Sequence, residues 1–209
     1  MRTTLLLVLI TASVISLTAC MQSSNATAAN IEGAKKETDA GKGKAFDLTP
    51  DNATVEWTGT KVGGKHDGGF KKLSGKLTLS EDGKSIAKVS VDVETASIWA
   101  DDKDKGNEKL QNHLKSDDFF NAEKYPTAKF VTTEIKPGKD GEAEITGNFT
   151  IRDVTKSITF PAKVSVADGK VTVDSRFKID RSQWNVNFGL VGDKLVDKDV
   201  ELRLKVNAK

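Results

Sequence analysis

The chain has one cysteine in 209 residues, two histidines, one tyrosine and four prolines, and its formal charge is only +2. A lone cysteine, Cys20, closes no disulfide within the chain, and no later cysteine is present to act as a nucleophile. The histidines, His66 and His113, have no close histidine partner on either segment, so no metal site has a recognisable signature. There is no Gly-x-Ser-x-Gly elbow and no Walker loop. The near balance of charge excludes the concentrated basic footprint of a nucleic-acid partner, and the many lysines read as solvated strand faces. The one long apolar run, Leu5 to Ala19, is shorter than the roughly 20 residues of a permanent bilayer helix.

That run follows Arg2, giving the charged start and apolar centre of an export signal. It ends in Leu17-Thr18-Ala19-Cys20, which resembles the lipobox of bacterial lipoproteins, where cleavage precedes the cysteine and its thiol and amine are acylated. Residues 1–19 are therefore expected to be a lipoprotein signal peptide and Cys20 the lipid attachment point. The alternative for Cys20 is a free thiol or an intermolecular bridge. Two or three acyl chains hold a protein stably at a membrane, where one holds it only marginally. Met21 stands where, by the same resemblance, an aspartate would retain the protein in the inner membrane, so the expected location is the cell envelope, at the outer membrane facing the periplasm. Loss of residues 1–19 removes Arg2 and no acid, leaving 31 basic against 30 acidic side chains.

Residues 20–45 are poor in large apolar residues and read as the acylated cysteine followed by a flexible linker. From Phe46 to the end, residues 46–209 suffice for one domain. Its apolar residues recur with period two, as in Leu73-Gly75-Leu77-Leu79, Val89-Val91-Val93, Ile145-Gly147-Phe149-Ile151, Ile158-Phe160-Ala162-Val164, Val171-Val173-Ser175-Phe177-Ile179 and Val200-Leu202-Leu204-Val206. With Val55-Trp57 and the segment around Phe130, about eight strands are expected. Asp82-Gly83 and Asp168-Gly169 sit between alternating runs as hairpin turns. Leu110, His113 and Leu114 fall at helical spacing, which predicts a short helix in the connection between strands three and four, lying over one end of the sheet. The fold class is all-β, either a two-sheet sandwich or an eight-stranded antiparallel barrel. Gly75, Gly147, Ala162 and Ser175 lie on the inward parity at mid-strand, where a solid core would carry larger residues, and this favours a barrel with a cavity.

Leu110-Gln111-Asn112-His113-Leu114-Lys115-Ser116-Asp117-Asp118-Phe119-Phe120, then Tyr125-Pro126-Thr127-Ala128-Lys129-Phe130, Ile145-Thr146-Gly147-Asn148-Phe149-Thr150-Ile151-Arg152-Asp153-Val154-Thr155-Lys156 and the late Phe177-Lys178-Ile179-Asp180-Arg181 resemble the successive signatures of the YceI-like family. The likeness covers nearly all of residues 46–209. It implies a lipocalin-like, eight-stranded antiparallel barrel whose apolar tunnel binds a polyisoprenoid chain. One departure is the glycine-rich stretch Gly63-Gly64-Lys65-His66-Asp67-Gly68-Gly69, which reads as a mobile link where the family often has a compact one.

Trp57, Phe70, Phe130, Phe149, Phe160, Phe177, Trp184 and Phe188 are the bulky candidates for lining such a cavity, and each could equally be plain core. Lys61, His66 and Lys71, near the glycine-rich stretch, are candidates for a phosphate or quinone head group. His113 reads as a structural residue, and Asp180 with Arg181 as members of salt bridges near a barrel end. No cofactor is expected beyond an isoprenoid lipid or quinone held as ligand. The expected function is a membrane-tethered lipid carrier and not an enzyme. The competing readings are a filled barrel serving as an envelope interaction module, and an enzyme acting on an isoprenoid lipid. Whether two domains associate as a homodimer stays open.

Overall fold

The protein is described by a computed structural model covering residues 26–37, 39, 42–104, 106–190 and 195–209. The expected signal peptide, 1–19, and the expected acylation point Cys20 lie outside these residues.

Thirteen strands form one curled, mostly antiparallel sheet among the described residues. In chain order they are β1 (Thr27–Ala28), β2 (Asn30–Gly33), β3 (Ala45–Leu48), β4 (Ala53–Lys61), β5 (Gly64–Phe70), β6 (Leu73–Leu79), β7 (Ile86–Glu94), β8 (Ile98–Ala100), β9 (Thr127–Pro137), β10 (Glu142–Ile151), β11 (Val154–Ala167), β12 (Lys170–Asp180) and β13 (Val196–Ala208). Alternation decides which face each strand buries. In β12, Val171, Val173, Ser175, Phe177 and Ile179 are buried while the residues between them reach towards solvent. Asp168 and Gly169 both take positive φ, 53° and 73°, the two-residue turn whose twist suits adjoining strands.

The main ladder runs β3-β6-β7-β9-β10-β11-β12-β13-β4-β5-β8. Its two ends are covalently continuous, because β5 passes into β6 through Lys71 and Lys72, and β7 passes into β8 through a 3-10 turn at Thr95–Ser97. Backbone bonds from Lys71 N–H to Ser97 and from Glu94 N–H to Lys72 (3.1 Å each) carry the pairing round that corner. The sheet thus wraps into a barrel-like wall around an apolar interior.

Three expectations need correction. The eight expected segments lie in β4, β6, β7 and β9 to β13, and five further strands join them; the helix α1 (Glu108–Lys115) follows the third expected segment, β7, and precedes the fourth, β9, with the short β8 inserted before it. The glycine-rich stretch is no mobile link but β5, paired from Lys61↔Gly64 to Glu56↔Gly69 with β4. Two of its glycines are steric: a Cβ on Gly68 would overlap the Trp57 ring and the Trp99 carbonyl, and one on Gly69 would crowd the Val55 carbonyl.

The third correction concerns the linker, of which Thr27–Ala28 and Asn30–Gly33 are strand. β11 pairs with β12 only from Lys163↔Asp174 to Ala167↔Lys170. Next to that ladder the Ser175 hydroxyl donates to the Pro161 carbonyl (2.6 Å), so the Pro161 backbone faces β12, where proline has no N–H to offer. The two strands part beyond this point, and the N-terminal segment fills the seam. β1 lies parallel to β12, with Thr27↔Phe177 and Ala28↔Lys178, and β2 lies antiparallel to β11, from Asn30↔Thr159 to Gly33↔Lys156. Ala29 and Ile31 pack against the core, and the Lys35 backbone exchanges two bonds with the Asn148 side chain (2.8 and 2.7 Å). A segment too polar to build its own core is ordered because it satisfies backbone groups that a split ladder leaves bare.

Replacing Ile31 with Ala is expected to cost about 1 kcal/mol, since the side chain is half-buried. That lowers Tm by roughly 2–4 °C in a domain of this size, and Ile31→Asp lowers it further. Thermal unfolding of the three proteins checks this; equal Tm values would show that the inserted strand contributes nothing.

Candidate functional site

The curled sheet encloses a cavity of about 710 Å³, within the roughly 300–1,000 Å³ usual for small-molecule sites. Its wall is built from the inward faces of β4 to β13, with Leu110, His113 and Leu114 of α1 and Phe119 and Phe120 beyond it. The helix is placed by its ends: the Asn107 side chain accepts from Leu110 N–H (3.1 Å) and the Ser116 hydroxyl donates to the His113 carbonyl (2.7 Å). Phe160 and Phe177 stack at 4.1 Å across the β11–β12 seam, Phe130 lies 5.6 Å from Phe160, and Phe70 meets the edge of Phe120 at 5.8 Å.

Of the eight bulky candidates, Trp57, Phe70, Phe130, Phe149, Phe160, Phe177 and Phe188 line this cavity. Trp184 does not. It is fully buried behind the wall, where its indole packs on Phe149 at 5.4 Å and donates to the Phe149 carbonyl at 3.0 Å. The small residues that suggested a cavity do not line it either. A Cβ on Gly147 would overlap the Phe130 ring, and one on Gly75 would overlap the Ser90 carbonyl, so these glycines admit neighbours and leave no void. The hollow comes from the girth of the sheet and from medium-sized Val, Leu and Ile side chains facing it. Trp57 is buried and its indole N–H has no acceptor among the described residues, which leaves an unused donor on a residue of the wall.

Polar groups gather at one end, where the β4–β5 hairpin, the start of β13 and α1 meet. Lys61, His66, Lys109, His113, Arg181 and Asp197 line the cavity there. Lys71, the third head-group candidate, is exposed and lies off the cavity. His66 Nδ1 sits 2.9 Å from Asp101. The Asn107 amide, with His66 beside it, holds the Asp101 carboxyl below the usual carboxylate range. His113 has a structural role and also lines the cavity, wedged edge-on between Phe188 (4.5 Å) and Phe119 (5.1 Å) with Nε2 2.8 Å from Asp118.

Arg181 is the best-buried charge of this end, 5% exposed. The expected salt bridge is absent from it. Its guanidinium donates instead to four backbone carbonyls, of Val186 (2.6 Å), Phe188 (2.7 Å), Asp197 (3.0 Å) and Val196 (3.0 Å). One side chain thereby ties both sides of the connection between β12 and β13 to the end of the barrel. Burial lowers its proton affinity, with Asp180 and Asp197 acting against that. Asp180 does form the ion pair, with Lys198 at 3.2 Å. Burial alone would raise its carboxyl, but the Ser182 hydroxyl and N–H together with Lys198 outweigh it and hold the group low.

The sequence carried signals for Leu110, His113 and Leu114 but none for Val62, Leu195 or Lys109, which reach the cavity only through the meeting of three separate elements. Among the described residues no three His, Cys, Asp or Glu side chains come together as a metal site, and no helix is long and apolar enough to cross a membrane.

Residues 46–208 match the YceI-like domain, and the chain belongs to that family. Its relatives include a UPF0312 protein of Pseudomonas putida, 35% identical over 118 residues, a match spanning 56% of this chain and 59% of the relative's length. A UPF0312 protein of Pseudomonas fluorescens is 30% identical over 165 residues, covering 75% and 83% of the two chains. Among solved structures, BcnA of Burkholderia cenocepacia superposes with a TM-score of 0.65 at 25% identity, covering 75% of this chain and 96% of that one. A polyisoprenoid binding domain from Saccharophagus degradans superposes at 0.60 with 12% identity, over 80% and 99% of the chains, and so shares the fold. The class defined by fold and family is a YceI-like barrel with an apolar interior.

Arg181→Met is expected to strand four carbonyls, costing about 3 kcal/mol or more, a Tm fall of roughly 6–12 °C. Asp180, held below its unfolded value of about 3.9, contributes stability that is complete above that pH and is lost as pH falls through the folded value. Acid titration of unfolding for Asp180→Asn against the parent should show a smaller loss of stability below about pH 4; identical profiles would exclude the effect.

Proposed function

We propose that this protein carries a long isoprenoid lipid in its cavity, tethered to the periplasmic face of the outer membrane by acylation at Cys20. The observation that carries the reading is the cavity itself: about 710 Å³, walled mainly by aromatic and aliphatic side chains, with Lys61, Lys109, Arg181 and two histidines at one end. Removing hydrocarbon from water contributes about 0.8 kcal/mol per CH₂, so each five-carbon unit contributes roughly 4 kcal/mol before ordering costs. No bond need form or break for this, and the proposal assigns no catalytic step. The head group, a quinone or a polyprenyl phosphate, would lie beside Lys61 and His66. The domain from Saccharophagus degradans, which shares the fold, binds a polyisoprenoid by its own description, and this supports the ligand class. The Leu17-Thr18-Ala19-Cys20 pattern supports the anchor. The interaction-module reading needs a filled interior, and the cavity counts against it.

The test is native mass spectrometry of the protein purified from a bacterial envelope, followed by organic extraction. A stoichiometric adduct extracting as a polyisoprenoid is the expected result. Protein that stays bare, and that takes up neither quinones nor polyprenyl phosphates, would overturn the reading. Within a series of prenyl chains, affinity should rise at least tenfold per five-carbon unit until the cavity is full. Val173→Trp, which places a ring in the cavity, should abolish uptake while circular dichroism still reports a folded sheet.

A further inference from the structure

The described surface has two exposed large apolar side chains, Val62 at 75% and Leu195 at 48%. Single exposed apolar residues are ordinary on a soluble domain. These two are neighbours, joined by a bond from Val62 N–H to the Leu195 carbonyl (3.1 Å), and both line the cavity. Val62 occupies the tip of the β4–β5 hairpin, before Gly63 at φ 80°, a turn position that polar residues fill readily. Lys61 and Lys109 stand beside this pair on the same rim, and the described residues supply neither with a carboxylate partner. Lys65 is paired with Asp67 at 3.2 Å, and Asp197 accepts from the Thr60 hydroxyl at 3.2 Å. The rim is therefore apolar at its crest, with Lys61, Lys109 and the carboxylate of Asp197 at its flanks, an apolar edge of the kind that enters a lipid interface.

We propose that this rim docks on a lipid bilayer, with Val62 and Leu195 entering the interface so that the cavity opens directly onto the membrane. The inference rests on the carrier reading and adds to it the surface by which the carrier loads. A long hydrocarbon crossing water would lose its burial energy on the way, and an apolar rim continuous with the cavity removes that barrier. The opposite end, lined by Ala53, Thr54, Lys205 and Val206, presents no exposed large apolar residue among those described.

In the experiment, the full chain is incorporated into vesicles of three parts phosphatidylcholine to one part phosphatidylglycerol containing a fluorescent polyprenyl phosphate. Energy transfer from the protein's tryptophans reports loading. Val62→Asp with Leu195→Asp, both at exposed positions, is expected to slow loading from vesicles at least tenfold beyond whatever loss of affinity for the same probe the variant shows in detergent. Slowing no greater than that loss of affinity would overturn the docking surface. Failure of the parent itself to bind the probe in detergent would overturn the carrier reading, and the docking proposal with it.

Discussion

A sheet wrapped around an unfilled middle must be held by its backbone ladder, because the inward side chains do not reach across to support the opposite wall. Every interruption of that ladder therefore has to be covered. The largest is at Pro161, where β11 and β12 part company. The chain closes it with residues 27–33, taken from far upstream, which pair with one strand on each side. Inside, the stacked rings of Phe160 and Phe177 bridge the same seam. The wall is thus sealed twice where its hydrogen bonding fails, once by backbone and once by aromatic contact.

The two ends of the barrel are treated differently. At the hairpin end, one buried guanidinium replaces a ladder, its four bonds holding Val186, Phe188, Val196 and Asp197 in place. Carbonyl oxygens can satisfy the donors of such a group without neutralising it, so a positive charge persists beside the cavity. The lysines and histidines that share this end make it the more polar terminus of a mainly hydrocarbon-lined space.

Much of this was legible in the chain. The segments read from the sequence located eight of the eleven strands of the main ladder, Asp-Gly pairs located two turns, and the spacing of Leu110, His113 and Leu114 located the helix. The aromatic lining was also legible, because seven of the eight bulky candidates sit on inward parity or on the end-covering segments. Reasoning from small residues reached a cavity by a path the structure does not support: Gly147 makes room for Phe130, and Gly68 makes room for Trp57. A glycine in a strand signals close approach, and only the packed structure shows what approaches. Pro161 was the overlooked signal, since a proline inside an alternating run marks a strand edge.

The sequence by itself determined the local facts: which residues alternate, where the chain turns, which stretch resembles an export signal, and that charge is balanced. These follow from periodicities and composition, which act over a few residues. The tertiary structure alone decided that a polar stretch such as 27–33 becomes a strand, that Trp184 lies behind the wall and not on it, and that Val62 meets Leu195 at the rim. The first and the last join elements more than a hundred residues apart in the chain and the Trp184 contact spans 35, and the energy that fixes them, a bare backbone edge or a ring needing a slot, exists only once the sheet has curled.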